Sequence, residues 1–319
     1  MSDMRVPGWK RIRQAGLWLR SRRQPRVVIL GYHRVGEYSS DPFDLTVTPG
    51  ELDEHLQFLE RHARPVALQQ AIGELARGTI PPRTVVVTFD DGYEDTLTEA
   101  LPLLRKHRVP ATVFVTTGNT GESFWWDVLA ACLSGAAQLP DTIAIDVSGK
   151  QQLYATRDRA HLLQQVATLL RPLPAAERTA ILSGLSRDTG SPISPDLPRA
   201  LRHDEIERLA AEPLVEVGAH SVTHPPLAQV QAERQRMEIV ESRRTLETLT
   251  RKPIRSFSYP HGSLGDVTRE LVREAGFTVA CCSVPDVATP ASDPLAFPRL
   301  WVDGDRKRDF ARWINRWLG

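Results

Sequence analysis

The feature that most constrains the fold is an apolar stretch that runs directly into two adjacent acids. Residues 84–93 have the sequence Thr-Val-Val-Val-Thr-Phe-Asp-Asp-Gly-Tyr. β-Branched and aromatic side chains favour a buried strand, and Pro81 and Pro82 separate it from what precedes. Asp90 and Asp91 then stand at the carboxyl end of the strand, where α/β proteins usually build their sites. A turn formed by Asp-Asp-Gly is the alternative interpretation, because both residue types favour turns.

The rest of the chain alternates short apolar runs with stretches of helical spacing. Strands are predicted at 27–30, 84–90, 111–117, 214–220, 256–260, 278–282 and 296–302, with a hairpin within 141–155. Helices are predicted at 51–62, 96–107, 125–133, 157–186, 231–250, 266–275 and 306–318, and residues 35–50 are expected to be a loop. Strands that alternate with helices predict an α/β barrel or an open parallel sheet.

The alternation breaks between about 119 and 205, where the sequence becomes mostly helical. We interpret this stretch as an insertion between two strands of the main domain. It is expected to form a lid, a wall of the substrate site, or packing without a role in function. The main domain is then 25–319, with the insertion at about 119–205.

Charge and cysteine content exclude some classes of protein. The 319-residue chain has a formal net charge of +1, which gives no electrostatic argument for nucleic-acid binding. Cys132, Cys281 and Cys282 form neither a disulfide framework nor a CxxC metal site, and they mildly favour a reducing compartment. No run reaches the roughly 18 apolar residues of a membrane-spanning helix.

Residues 1–24 are predicted to form a basic amphipathic segment. Trp9, Ile12, Ala15 and Leu19 share one helical face, and arginine and lysine lie elsewhere. Such a helix suits peripheral contact with an anionic membrane surface. A helix packed on the domain, or a solvated leader, is the alternative. Because the segment lacks the apolar core of a signal peptide, we expect a cytoplasmic location or one on the inner membrane face.

His220 and His224 follow the predicted strand 214–220. In one parallel sheet their strand end lies on the same side as Asp90 and Asp91. Two imidazoles and one carboxylate suit Zn²⁺, although other divalent ions accept the same ligands. Because side chains alternate along a strand, the second carboxylate is free to act as a general base on water. This arrangement predicts metal-assisted hydrolysis of an amide or ester. A structural or chance histidine pair is the alternative.

Three motifs carry a resemblance to a known family. Thr88-Phe-Asp-Asp-Gly92, His220-Ser-Val-Thr-His224 and Ser258-Tyr-Pro-His-Gly262 resemble, in order and spacing, the first three motifs of the polysaccharide deacetylases. This family is also known as the NodB-homology family or carbohydrate esterase family 4. The resemblance covers about 25–120 and 200–305, and it implies a distorted (β/α) barrel that removes N- or O-acetyl groups from sugars.

The resemblance also implies roles for individual residues. Asp90 corresponds to the catalytic base. The metal ligands correspond to Asp91, His220 and His224. The loop formed by Tyr259, Pro260 and His261 is expected to give a backbone N–H to the oxyanion of the tetrahedral intermediate.

The chain departs from the family pattern at two places. Ser258 stands where relatives commonly have an arginine that orients the base, and Arg255 or Arg299 is expected to replace it. The C-terminal Leu-x-His, whose histidine acts as the general acid, is missing, since no histidine follows His261. His33 is our candidate for the missing acid and His261 is the alternative. A strand-end histidine bonded to backbone is the structural interpretation of His33.

The leading hypothesis is a divalent-metal deacetylase of N-acetylated sugars in a bacterial-type envelope glycan or exopolysaccharide. The first alternative is a deformylase or deacylase of a lipid-linked amino sugar, so that the partner is a glycan or a glycolipid. The second is a catalytically weak glycan-binding homologue, as the missing general acid suggests. Trp125, Trp126 and Trp301 are expected to pack in the core, or else to stack on sugar rings.

Overall fold

A computed structural model describes residues 25–38, 40–134 and 138–318 of the chain. The predicted amphipathic segment at 1–24 lies outside these residues. Within them, the strands in chain order are β1 (Val28–Tyr32), β2 (Arg34–Val35), β3 (Thr46–Val47), β4 (Arg64–Pro65), β5 (Thr84–Phe89), β6 (Ala111–Val115), β7 (Thr142–Val147), β8 (Lys150–Ala155), β9 (Val215–Ala219), β10 (Ser256–Ser258), β11 (Val279–Cys281) and β12 (Leu300–Trp301).

Most of the helices lie close to predicted positions. They are α1 (Pro49–His62), α2 (Leu68–Ala76), α3 (Leu101–His107), α4 (Trp125–Ser134), α5 (Arg159–Leu170), α6 (Ala175–Thr189), α7 (His203–Ala210), α8 (Ala232–Thr250), α9 (Asp266–Glu274) and α10 (Phe310–Leu318). A π-helical turn, Thr96–Ala100, leads into α3. Among the described residues, none of the helices combines the length and apolar character needed to cross a membrane.

The main sheet is parallel and curls into a distorted barrel. Its strand order is β11-β10-β9-β6-β5-β1-β12, and β4 pairs with β5. The segment that contains β12 closes the barrel, because it contacts β11 on one side and β1 on the other. Phe297 bridges to Cys281 of β11, while Leu300 and Trp301 pair with Leu30 and Gly31 of β1. The predicted (β/α) barrel is therefore confirmed.

Alternation along the strands separates two hydrophobic clusters. On β5, Val85, Val87 and Phe89 contribute to the larger cluster, which the surrounding helices cover. Val86 contributes to a smaller cluster together with Ile29 of β1. Val86 and every second residue after it point to the concave side of the sheet. Asp90, which is four residues after Val86, therefore reaches the mouth of the barrel.

The insertion has a hydrophobic cluster of its own, built mainly on α4, α5, α6 and the antiparallel hairpin β7–β8. Helix α7, which begins near the predicted end of the insertion at about 205, packs on β9 and α8 of the barrel. The single helix predicted at 157–186 is two helices, since Pro172 and Pro174 interrupt it. The mostly helical character of the insertion is as predicted.

Several short elements were not predicted from the sequence, among them β4. Helix α2 carries Leu68, Ala71 and Leu75 on its buried side, a short pattern that the neighbouring prolines obscure. Helix α7 lies where no helix was predicted, at the end of the predicted insertion. The expected loop at 35–50 contains a two-residue parallel pairing of β2 with β3, which is too short to leave a period in the sequence.

Candidate active site

The predicted site residues meet in one cavity at the carboxyl ends of the parallel strands. The cavity has a volume of about 500 Å³. Of the residues singled out in the sequence, it is lined by His33, Asp90, Asp91, Trp125, Trp126, His220, His224, Tyr259, His261 and Trp301. Side chains that follow four different strands thus converge, as the parallel arrangement requires.

Asp91, His220 and His224 form a buried cluster with the geometry of a metal site. The Nε2 atoms of the two histidines are 3.2 Å apart, and they lie 3.5 and 3.2 Å from Asp91 Oδ1. A tetrahedral ion with bonds of about 2.0–2.2 Å separates its ligands by roughly 3.3–3.6 Å. The residues therefore fit a divalent ion, and among the described residues this is the group that offers three such ligands.

The protonation states of His220 and His224 agree with a site for a divalent ion. His220 Nδ1 lies 2.8 Å from the carbonyl oxygen of Ser258, which places the proton on Nδ1 and leaves Nε2 for a metal. Burial lowers the pKa of His224 to about 4, so its imidazole is neutral at physiological pH. Burial acts in the same direction on His220, but the carboxylates of Asp90 and Asp91 outweigh it and raise the pKa. The two acids therefore favour a positive charge at this point.

The loop of residues 220–224, here called the histidine loop, is held by side chains from two helices. Glu238 of α8 accepts hydrogen bonds from the backbone N–H groups of Val222 and Thr223, at 2.9 and 2.7 Å. Arg178 of α6 donates to the carbonyl oxygen of Thr223 at 2.7 Å, and its guanidinium lies against the ring of Trp125. His224 has a φ of 57°, a conformation that needs such support in a residue other than glycine.

Asp90 is oriented by Arg299, one of the two arginines proposed for this role. Both carboxylate oxygens accept hydrogen bonds of 2.7 Å from Arg299, and Oδ2 also accepts one of 2.9 Å from Ser258 Oγ. Ser258 Oγ further accepts a bond of 2.8 Å from the same guanidinium, so Ser258 links the arginine and the carboxylate. Arg255, the other candidate, is exposed. Burial opposes ionisation of Asp90, but Arg299 outweighs it and the pKa is lowered.

His33 lies at the mouth of the barrel, where the sequence placed it. Its ring stacks on Trp301 with centroids 4.5 Å apart. Gly31 makes room for this indole, because a Cβ there would lie 2.6 Å from it. Burial lowers the pKa of His33, while the charges of Asp91 and Asp90 oppose the shift. The imidazole is therefore predominantly neutral at pH 7.

The structure narrows the choice of oxyanion donor. The N–H of Tyr259 donates to the carbonyl oxygen of Cys281, and its hydroxyl donates to Leu295 O. Pro260 has no N–H. Neither Tyr259 nor Pro260 therefore has a backbone N–H available for a substrate oxygen, and the expected donor lies further along this loop. His261, with a φ of 57°, is the residue of this loop whose N–H is left for a substrate oxygen.

Trp126 belongs to a buried polar chain that sequence inspection missed. Its Nε1 donates to Tyr93 Oη at 2.6 Å, and Tyr93 in turn donates to Asp127 at 2.7 Å. Arg34 binds the second oxygen of Asp127 and also Asp41, at 2.8 and 2.7 Å. The expected core packing of Trp125 and Trp126 is confirmed, and both also line the cavity. The sequence signal that could have indicated this chain is the position of Arg34, directly after His33.

Comparison with known proteins agrees with the site. A family model described as polysaccharide deacetylase matches residues 77–280. The poly-β-1,6-N-acetyl-D-glucosamine N-deacetylase of Staphylococcus aureus is 29% identical over 106 residues, which cover 29% of this chain and 37% of that protein. The chain thus matches little more than a third of the length of this curated relative.

Two solved structures have a similar fold. The Streptococcus pyogenes deacetylase PplD, in complex with acetate, has a TM-score of 0.61 at 17% identity, covering 91% of this chain and 98% of that one. IcaB from Ammonifex degensii has a TM-score of 0.59 at 20% identity, covering 91% and 97%. At such identities the likeness establishes the architecture.

Proposed function

This chain belongs to the polysaccharide deacetylase family, and we propose that it removes acetyl groups from N-acetylated sugars of a bacterial-type envelope or exported glycan. In this proposal Asp91, His220 and His224 hold a divalent ion, with Zn²⁺ the first candidate. The family model covers 77–280, which includes the predicted base and all three ligands. The relative from Staphylococcus aureus acts, by its name, on an N-acetylated glucosamine polymer, which supports the choice of substrate class.

One observation carries the proposal. A three-ligand cluster stands beside a second carboxylate, Asp90, which Arg299 and Ser258 fix in orientation. Asp90 Oδ2 is 3.7 Å from His220 Nε2, so the base and the ligand cluster are adjacent but separate. A protein that only binds glycans needs neither the cluster nor the oriented acid, which argues against the hypothesis of a decayed site.

The chain's own residues supply the proton transfers. A bound divalent ion supplies Lewis acidity, which makes water more acidic and polarises the acetyl carbonyl. Asp90 accepts a proton from the attacking water while Arg299 keeps the carboxylate in place. The N–H of His261 donates to the oxygen that becomes negative. The C–N bond then breaks, acetate leaves, and the minor protonated form of His33 gives its proton to the departing nitrogen. The products are acetate and a free amine.

The test combines metal content with acetate release. Purified protein is expected to contain about one divalent ion per chain and to release acetate from chitotetraose. Asp90→Asn is expected to lower kcat by at least a factor of about 10², because it removes the base and leaves the ligands. Metal content of the variant is the control. Turnover by Asp90→Asn at the wild-type rate contradicts the assigned base, and failure of the wild type to bind any divalent ion favours the glycan-binding hypothesis.

A further inference from the structure

The insertion forms one wall of the catalytic cavity. Gln164, Ala167 and Arg171 line it, and they are spaced so that they share one face at the end of α5. The metal-ligand cluster and His261 line the same cavity. The insertion therefore contributes side chains that a substrate meets.

Outside the cluster of Asp91, His220 and His224, Arg171 is the charge of this cavity that has no acid paired with it among the described residues. Asp44 and Asp303 also line it, but each is paired, with Lys307 and Arg306 respectively. Asp90 is paired with Arg299. Arg171 is half-buried, and among the residues that the structure describes its guanidinium has no hydrogen-bond or ion-pair partner. Burial lowers its pKa and no neighbouring acid opposes the shift.

An unpaired guanidinium in a partly dry cavity is unfavourable until an anion joins it. Its planar set of N–H donors matches the paired oxygens of carboxylate and phosphate groups. The charge is close to the chemistry, because Arg171 lines the same cavity as Asp90 and the three proposed metal ligands. An anion bound by Arg171 would thus be carried by the molecule that occupies the site.

We propose that Arg171 binds an anionic group, a carboxylate or a phosphate, carried by the acetylated substrate, which makes this enzyme a deacetylase of acidic glycans or glycoconjugates. This inference rests on the proposed function and names the substrate class of the same site. The product amine is cationic, so a glycan without acidic groups accumulates positive charge beside Arg171 as it reacts. An acidic substrate offsets that charge.

The experiment compares matched substrates. Chitotetraose is the neutral probe, the hyaluronan tetrasaccharide carries carboxylates, and N-acetylglucosamine 1-phosphate carries a phosphate. Acetate release is measured for the metal-loaded wild type, Arg171→Gln and Arg171→Lys. Arg187→Gln is the control, since Arg187 is exposed on α6 and does not line the cavity. Binding of the same three probes to metal-loaded Asp90→Asn, with and without Arg171→Gln, gives a readout that does not need turnover.

We expect Arg171→Gln to raise KM and Kd for an acidic probe by on the order of tenfold or more, with kcat nearly unchanged. The neutral probe is expected to be unaffected, Arg171→Lys to retain part of the preference, and added salt to weaken it. If only one of the two acidic probes loses affinity in Arg171→Gln, its carboxylate or phosphate is the group that Arg171 binds. Equal effects on neutral and acidic probes, or no preference in the wild type, would overturn the inference. If no probe releases acetate, the proposed function fails, and the binding series alone decides the role of Arg171.

Discussion

Arg299 and Asp90 are 209 positions apart in the chain, yet their contact sets the orientation of the proposed base. The sequence identified Asp90 because it follows a strongly apolar strand. It left the orienting arginine open between Arg255 and Arg299, since neither belongs to a motif with a fixed spacing. The choice depends on how the barrel closes, which places residue 299 against Thr88 and Asp90.

Replacing Arg299 by lysine tests this contact. Arg299→Lys keeps the positive charge but loses the two parallel bonds to Asp90, so the carboxylate is free to rotate. We expect kcat to fall by about 10²-fold, the loss that small misplacements of a catalytic group cause. Metal content is expected to stay at the wild-type level.

Arg255→Lys is the matched control for this change, because Arg255 is exposed. Thermal unfolding of both variants shows whether the fold is retained. A folded Arg299→Lys enzyme with wild-type kcat would mean that Ser258 alone orients the base.

Asp95 gives a residue-scale prediction about pH and stability. It is buried near the π-helical turn, accepts a 3.0 Å bond from Tyr38 on Oδ2, and its Oδ1 has no partner among the described residues. Burial raises its pKa to about 7, although Tyr38 and Arg34 oppose the shift and Glu94 adds to it. The folded state therefore binds a proton that the unfolded state, with a pKa of about 3.9, has already lost.

This difference in pKa makes the stability of the protein depend on pH. Between about pH 4 and pH 7 the folded protein holds more protons, so this carboxyl makes the protein less stable as the pH rises. Asp95→Asn removes the effect. We expect the difference in Tm, variant minus wild type, to increase between pH 5 and pH 8, as measured by calorimetry. Asp127, whose pKa burial raises to about 6, is present in both proteins and does not change the difference. A pH-independent difference would show that Asp95 is charged throughout.

At the scale of elements, the insertion is part of the active site. The sequence located it by the break in the strand–helix alternation, but periodicity does not show which way its helices face. Helix α6 supplies Arg178, which is almost fully buried and binds the backbone of the histidine loop. Among the described residues, no carboxylate accepts a hydrogen bond from its guanidinium. Burial lowers the pKa of Arg178 to about 10. So costly a placement indicates that the contact with Thr223 has a positioning role.

Arg178→Met tests this role while keeping the packing of the side chain against Trp125. Without the bond to Thr223 O, the loop that carries His224 is expected to relax from its left-handed conformation. We expect metal affinity to fall by about 10-fold, the lower end of what losses around a ligand cause. Competition with a chromophoric chelator measures it, and Arg187→Met on the same helix is the control. Unchanged affinity would show that Glu238 is sufficient to hold the loop.

At the scale of the whole molecule, most of the architecture could be predicted because hydrophobic periods and strand-end acids are local signals. The barrel class, most helices and the convergence of Asp90, Asp91, His220 and His224 follow from such signals. The identity of the oxyanion donor could not be predicted, because it depends on which N–H of the Tyr259–His261 loop pairs with β11. The face of α5 that meets the cavity depends likewise on tertiary packing.

Metal removal is expected to destabilise the whole domain. The ligands come from the ends of two strands, β5 and β9, so an ion that binds the folded state stabilises both together. We expect dialysis against a chelator to lower Tm by several degrees and added Zn²⁺ to restore it, as followed by calorimetry. Asp91→Asn is expected to abolish the response to Zn²⁺. A Tm that is the same with and without the chelator would contradict a resident ion.

The closure of the barrel by the segment that carries Arg299 also has a consequence for synthesis of the chain. A growing polypeptide presents Asp90 first and its guanidinium partner 209 residues later. At translation rates of about 5–20 residues per second, the interval is on the order of 10–40 s. During that time the acid has no fixed orientation, and the half-made sheet has no final strand. The proposed base therefore acquires its orientation only after the segment that carries Arg299 has been made, when the nearly complete barrel can already shield it.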